Sequence, residues 1–186
     1  TENLEVNVYI NPNRKNLSSA LNFGLEKCKH EIIVRMDADD VMTPTRLTTQ
    51  LQAMKDSIDN GNSSLSVIGS SVLLFRGDDE NDVIRPVVNP TDSGFVAYAM
   101  AFSCCLNHPS SCFLKTKVLA VGGYCSSDGG EFNGEEIKGS ANRVEDYQLW
   151  LRLLEADPRC IKNVGNFGLK HRRHGGNVSL QFREEQ

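Results

Sequence analysis

Ile32-Ile33-Val34-Arg35-Met36-Asp37-Ala38-Asp39-Asp40, with Thr43-Pro44 just behind it, is the stretch from which the architecture can be read. The β-branched run reads as a buried strand over 31–36, and it ends in three carboxylates within four positions. Such crowding is costly, because like charges a few ångströms apart raise one another's pKa; a hard divalent cation taking oxygen ligands relieves it. Behind the cluster, Thr43 stands where an N-cap belongs and Pro44 at the first helical position. Leu47, Leu51, Met54 and Ile58 then recur every three or four residues, as on one face of a helix. The carboxylates therefore lie in a strand-to-helix loop, and the carboxyl end of the strands is where open α/β sheets bind ligands.

Upstream, the alternation over 4–10 reads as a strand, and Ser18 or Ser19 can cap a helix that carries Leu21, Leu25 and Cys28 on one face. Downstream, turns at 59–64 and 76–81 bound a strand over 65–75, and a short strand follows over 83–88. Phe95, Tyr98 and Phe102 mark one helical face and read as core, 110–114 as a short extended piece, and Gly122-Gly123 as a turn. From 125 to 142 the chain is rich in Gly, Ser, Asp and Glu and reads as a structureless flap. Glu145-Asp146 then opens a helix whose Leu149, Trp150, Leu153 and Leu154 pack inward. Both carboxylates are left in its first turn, where acids also serve as plain dipole partners.

The 186 residues, 39% hydrophobic and 24% charged, suffice for one domain with a full core, and a net charge of -4 argues against a broad nucleic-acid footprint. No apolar run reaches the ~20 residues needed to span a bilayer. The six cysteines show no paired C-x-x-C spacing and read as reduced and mostly packed, which favours the cytoplasm. A chain that opens at Thr1 and runs at once into a strand reads as a fragment or a processed product.

Several motifs then occur in order: Ala20-Leu21-Asn22-Phe23-Gly24-Leu25, Arg35 to Asp40 with Pro44 and Arg46-Leu47, His108-Pro109-Ser110, Gly122-Gly123-Tyr124, Glu145-Asp146-Tyr147-Gln148-Leu149-Trp150, and Arg172-Arg173-His174 with Ser179. In that order and separation, from about Asn11 to Ser179, the chain resembles the family 2 glycosyltransferases of GT-A fold. The resemblance implies a Rossmann-like three-layer α/β/α sandwich with a mainly parallel mixed sheet. Residues 1–186 would form part of one catalytic domain, with 125–142 an acceptor-side loop and the strands that grip the nucleotide base upstream of Thr1. It implies inverting transfer from a nucleotide-diphosphate sugar, a UDP-sugar favoured, to the hydroxyl of a carbohydrate or other acceptor. Asp39 would be a direct ligand of Mn²⁺ or Mg²⁺, His174 would complete the metal shell or contact phosphate, and Asp37 would lie near the ribose or a metal-bound water. Arg172 or Arg173 would pair with the diphosphate, Asp146 would act as general base, and Glu145 would position the acceptor or cap its helix.

His108 reads as a satisfied structural residue, and Arg46 as the ion-pair partner of the acidic cluster. Two other functions stay in view. A degenerate sugar-nucleotide or metal-binding module would share these motifs without turnover. A haloacid-dehalogenase-like phosphatase would use Asp37 as nucleophile, although Arg35 interrupts its apolar run and Pro44 and Arg46 replace its small-residue turn. A calcium loop starting at Asp37 fails, because Met42 and Thr48 stand where glycine and glutamate belong.

Overall fold

The computed structural model describes residues 5–12, 16–61, 64–125, 131–132, 135–136 and 144–174. Helix α1 (Leu17–Lys27) is capped by Asn16, whose side-chain oxygen accepts the Ser19 N–H at 2.8 Å, and not by Ser18 or Ser19. Ser18 instead turns inward and is buried beside Leu25. A cap of this kind is worth about 1 kcal/mol. The chain then enters β1 (Ile32–Val34), crosses the acidic loop to β2 (Val41–Met42) and continues into α2 (Arg46–Asp59).

The main sheet runs β1-β5-β3-β8-β2, with β3 (Val67–Arg76), β5 (Cys112–Leu114) and β8 (Ile161–Arg173); β4 (Val83–Val87) pairs with the outer half of β3. The longest ladder, β3 on β8, is parallel from Val67–Ile161 to Arg76–Arg173, and the other ladders of this sheet are antiparallel. Because β5 runs opposite to both β1 and β3, the strands β1, β3 and β8 share one direction. Their carboxyl ends therefore meet at one edge, which brings the loop after β1 to the last residues of β8.

Alternation along the strands builds two apolar layers. Val67, Phe113 and Ile161 face a core formed with α1, α3 (Ser93–Met100), α4 (Lys115–Ala120) and α5 (Glu145–Ala156). Ile68, Leu114 and Val164 face Met54 of α2 on the other side, so helices cover both faces as a three-layer sandwich requires. The α5 stripe of Leu149, Trp150 and Leu153 is almost fully buried, each side chain contributing on the order of 2 kcal/mol.

Several sequence expectations give way. Residues 5–10 form no strand: they have no ladder partner among the described residues, and Val6, Val8 and Ile10 stand in solvent. Thr43 does not cap α2; its hydroxyl donates to the Phe167 carbonyl at 2.9 Å and its N–H to that of Gly168 at 3.1 Å, which places β2 against β8. The buried face of α2 is Arg46, Gln50 and Met54, one turn apart, while Leu47, Leu51 and Ile58 are exposed. Helix α3 has two competing apolar faces, and the one it buries is Val96 and Met100; Phe95, Tyr98 and Phe102 point outward. Strand β8 occupies a stretch that the sequence leaves unassigned. Most of the 125–142 flap lies outside the described residues, but Glu131–Phe132 (β6) and Glu135–Glu136 (β7) pair antiparallel there.

Candidate active site

The acidic loop is anchored from below by a buried polar stripe. Arg46, fully buried, donates through Nη2 to the carbonyls of Arg35 at 2.7 Å and Ser111 at 3.2 Å, and through Nε to Gln50 at 3.1 Å. Gln50 in turn donates to the carbonyls of Ile68 at 3.1 Å and Ser110 at 2.7 Å. The expected ion pair between Arg46 and the carboxylates is therefore not formed. Its Nη2 is spent on backbone oxygens where β1 and β5 meet, sharing the Ser111 carbonyl with the Arg35 N–H at 3.0 Å, while its Nη1 is buried without a hydrogen-bond partner among the described residues. Burial pushes its pKa down to about 10, which leaves the group charged at neutral pH.

The three carboxylates diverge, each to a separate partner. Asp37 accepts both forks of Arg35, at 2.9 and 2.5 Å. Asp39 Oδ2 lies 3.1 Å from His174 Nε2, a hydrogen bond that holds the carboxyl below its usual range. Asp40, its side chain fully withdrawn from water, accepts the Arg172 N–H at 2.9 Å and lies 3.1 Å from His171 Nδ1. Asp40 is thus the rivet between the loop and β8. Asp37, with both oxygens engaged by Arg35, is unsuited to the nucleophilic role that a phosphatase would give it.

The structure brings Asp39 and His174 within hydrogen-bond distance of each other. Among the described residues no group of three or more His, Cys, Asp or Glu gathers. One carboxylate and one imidazole could hold a divalent cation only with further oxygen ligands from elsewhere, and an imidazole suits Mn²⁺ better than Mg²⁺. Arg172 is committed within the protein: Nε donates to the Asp39 carbonyl at 2.8 Å, Nη1 to the Asp78 carboxylate at 2.9 Å and to the Gly77 carbonyl, and the guanidinium lies 4.8 Å over the Phe75 ring. It clamps the turn after β3 to the acidic loop. Arg173 follows it, half-buried, at the end of β8.

On the other side, α5 starts after Val144 with no side-chain cap. Glu145 is buried and Asp146 half-buried, and Asp146 Oδ1 accepts the Tyr147 N–H at 2.8 Å. A carboxylate that merely answers a helix dipole has its pKa lowered. Asp146 is pushed the other way, up to about 6, chiefly by burial, with the Glu145 charge adding and the Arg35 charge opposing. His108, from a 3₁₀ turn at His108–Ser110, is buried with Nε2 2.9 Å from the Tyr124 hydroxyl and its ring edge-on to Trp150 at 5.9 Å. Burial holds its pKa well below the usual value, so it is neutral and structural, as the sequence reading has it. Gly122 and Gly123, at φ 87° and 69°, make the left-handed turn that delivers Tyr124 to this cluster. Arg35 is the residue that the sequence reading undervalues: its charge acts on Asp37 through the fork and is felt by His108, Tyr124 and Asp146. The visible signal is a cation interrupting an apolar strand two residues before an aspartate.

Helices on both faces of a mixed sheet, with a carboxylate loop and a burial-tuned carboxylate, define a GT-A-like α/β protein. The chain belongs to glycosyl transferase family 2, whose model matches residues 2–71. It is 34% identical over 159 residues to the O-antigen biosynthesis glycosyltransferase WbnJ of Escherichia coli, covering 85% of this chain and 54% of that protein. It is 30% identical over 139 residues to the UDP-Gal:alpha-D-GlcNAc-diphosphoundecaprenol beta-1,3-galactosyltransferase of Escherichia coli, covering 74% and 42%. It is also 30% identical over 146 residues to the amylovoran biosynthesis glycosyltransferase AmsE of Erwinia amylovora, covering 77% and 46%. The chain thus spans about half the length of the curated relatives it matches. Among the described residues no helix is long and apolar enough to cross a membrane.

Proposed function

We propose that the protein transfers a sugar from a nucleotide-diphosphate sugar to an acceptor hydroxyl with inversion at the anomeric carbon. The observation that carries this reading is the acidic loop set at the carboxyl ends of parallel-running strands in a chain 34% identical to a glycosyltransferase over 85% of its length. Asp146, a helix N-terminal carboxylate whose pKa burial pushes up to about 6, is the candidate base. At neutral pH such a group is ionised yet basic enough to take a proton in the transition state. In this mechanism Asp146 accepts the proton of the acceptor hydroxyl as its oxygen attacks opposite the departing diphosphate. Glu145, through its charge, helps set the basicity of Asp146.

On the donor side, Asp39 and His174 would hold Mn²⁺ or Mg²⁺, which when bound neutralises charge building on the leaving diphosphate. Arg173 pairs with a diphosphate oxygen, Arg172 keeps the acidic loop in place, and Asp37, aligned by Arg35, contacts the ribose. A UDP-sugar donor and a saccharide acceptor are supported by the relative whose name gives UDP-Gal and a GlcNAc-diphosphoundecaprenol. Its O-antigen and amylovoran relatives support a place in polysaccharide assembly.

The experiment is Asp146→Asn. It is expected to cut transfer about 10²–10⁴-fold while calorimetric binding of UDP with Mn²⁺ is retained. Undiminished transfer in that variant would rule out the base assignment.

A further inference from the structure

The sequence places Phe95, Tyr98 and Phe102 in the core, and the structure leaves them 56%, 64% and 73% exposed. They form a contiguous series: Phe95 and Tyr98 have centroids 6.3 Å apart with planes 28° off parallel, and Tyr98 and Phe102 are 5.2 Å apart with planes tilted by 58°. Exposed aromatic surface is costly to keep without use. The Tyr147 hydroxyl, next in sequence to Asp146, donates to the Met100 carbonyl, which joins the first turn of α5 to the end of α3. From 93 to 107 the sequence holds no Asp, Glu, Lys, Arg or His.

We infer that this stripe is a platform on which the uncharged sugar rings of the acceptor stack, aligning a hydroxyl with Asp146. The proposal rests on the sugar-transfer reading and adds where the acceptor lies. The pyranose ring offers an apolar C–H face to an aromatic ring and hydroxyls at its rim, and a stripe without charges complements a neutral glycan. A helix that lies on a membrane carries Lys and Arg on its polar face, which this segment lacks. A nucleic acid would find no counter-charge in this segment, whose neighbouring charge is the carboxylate of Asp92 at the N-cap of α3.

The test uses Tyr98→Ala and the triple variant F95A/Y98A/F102A, all exposed positions, with folding checked by thermal unfolding. Saturation-transfer NMR with chitobiose reads sugar binding directly. Transfer from UDP-galactose to an alkyl GlcNAc diphosphate, alongside UDP-galactose hydrolysis, separates acceptor from donor effects. A ring-dependent chitobiose signal is expected, lost in the triple variant. Tyr98→Ala should raise the acceptor KM by a few-fold to about tenfold, with hydrolysis unchanged. A chitobiose signal equal in wild type and triple variant would overturn the platform. So would ring-dependent sedimentation with phosphatidylethanolamine–phosphatidylglycerol vesicles without sugar binding, which would assign the stripe to a membrane surface. If wild type neither transfers nor hydrolyses these substrates, the donor reading fails for them, and the chitobiose signal still decides the platform. Should the triple variant not fold, Tyr98→Ala alone carries the same readouts.

Discussion

Asp146→Asn should do more than slow the reaction: it should stabilise the protein. The shift from 3.8 to about 6 means that the folded chain holds the proton more tightly than the unfolded one. Below about pH 3 both states are protonated and the group costs nothing. Between about pH 4 and 6 the unfolded chain has lost the proton that the folded chain keeps, and the penalty grows; above about 6 folding must keep an ionised carboxylate in a poorly solvated place and the penalty levels off. Roughly two units at about 1.4 kcal/mol each make the full penalty ~3 kcal/mol above pH 6. Asparagine has no charge to desolvate, and its side-chain oxygen can still accept the Tyr147 N–H that Asp146 now takes at 2.8 Å. Urea unfolding from about pH 3 to 8 should therefore show almost no gap at the acid end and a gap opening between about pH 4 and 6 to as much as ~3 kcal/mol in favour of the variant by pH 7. For a chain of this size that corresponds to roughly 6–12 °C in Tm. Wild-type kcat/KM should climb with pH through about 6, the value at which the base ionises. A variant less stable than wild type at pH 8, or a gap independent of pH, would refute the reasoning, because Asp146 would then be a helix-stabilising charge and not a strained base.

Other perturbations read other parts of the site. His174→Ala should raise the Mn²⁺ concentration for half-maximal activity by about tenfold or more, and should let the Asp39 carboxyl titrate higher; an unchanged Mn²⁺ titration would remove His174 from the metal shell. Arg46→Met removes the donor to the Arg35 carbonyl and one of two donors to the Ser111 carbonyl and should cost about 1–3 kcal/mol in urea unfolding; a loss below about 0.5 kcal/mol would show that water takes over the role. Gly69→Ala would place a Cβ 2.1 Å from both Asn163 Oδ1 and Leu106 Cδ1, where β3 meets β8, and should cost about 1–3 kcal/mol or more; a neutral result would mean that the two strands separate freely.

What the sequence makes legible follows the rules that operate locally. α5 is readable because its burial is apolar and periodic, β3 because it is a near-continuous buried run, and the loop after β1 because like charges need a reason to crowd. β1 is readable from its β-branched residues, but it is not the buried strand expected, since Ile32 is exposed and Ile33 and Val34 are only partly covered. Strand β8 is not, since Gly165, Asn166 and Gly168 drop out of the ladder with β3 and break the two-residue alternation. Its charged end looks like a tail until Asp40 is seen bonded to it. Helix α2 misleads in a different way: helical periodicity assumes that apolar residues face inward, whereas here the carbonyls at three strand ends demand the donors of Arg46 and Gln50. The demand exists only once those strands converge. Helix α3 offers two apolar faces, and nothing local says that Val96 and Met100 win. In the site, motif order is enough to nominate Asp39 with His174, but the Arg35–Asp37 fork and the Asp40 rivet depend on the direction of side chains that spacing does not specify.

The most direct test of the proposed chemistry is the configuration of the new glycosidic bond, read from the anomeric proton of the product by NMR after transfer from an α-linked UDP-sugar. Direct attack assisted by Asp146 predicts a β-linked product. An α-linked product would contradict the mechanism, whatever the rate at which it formed.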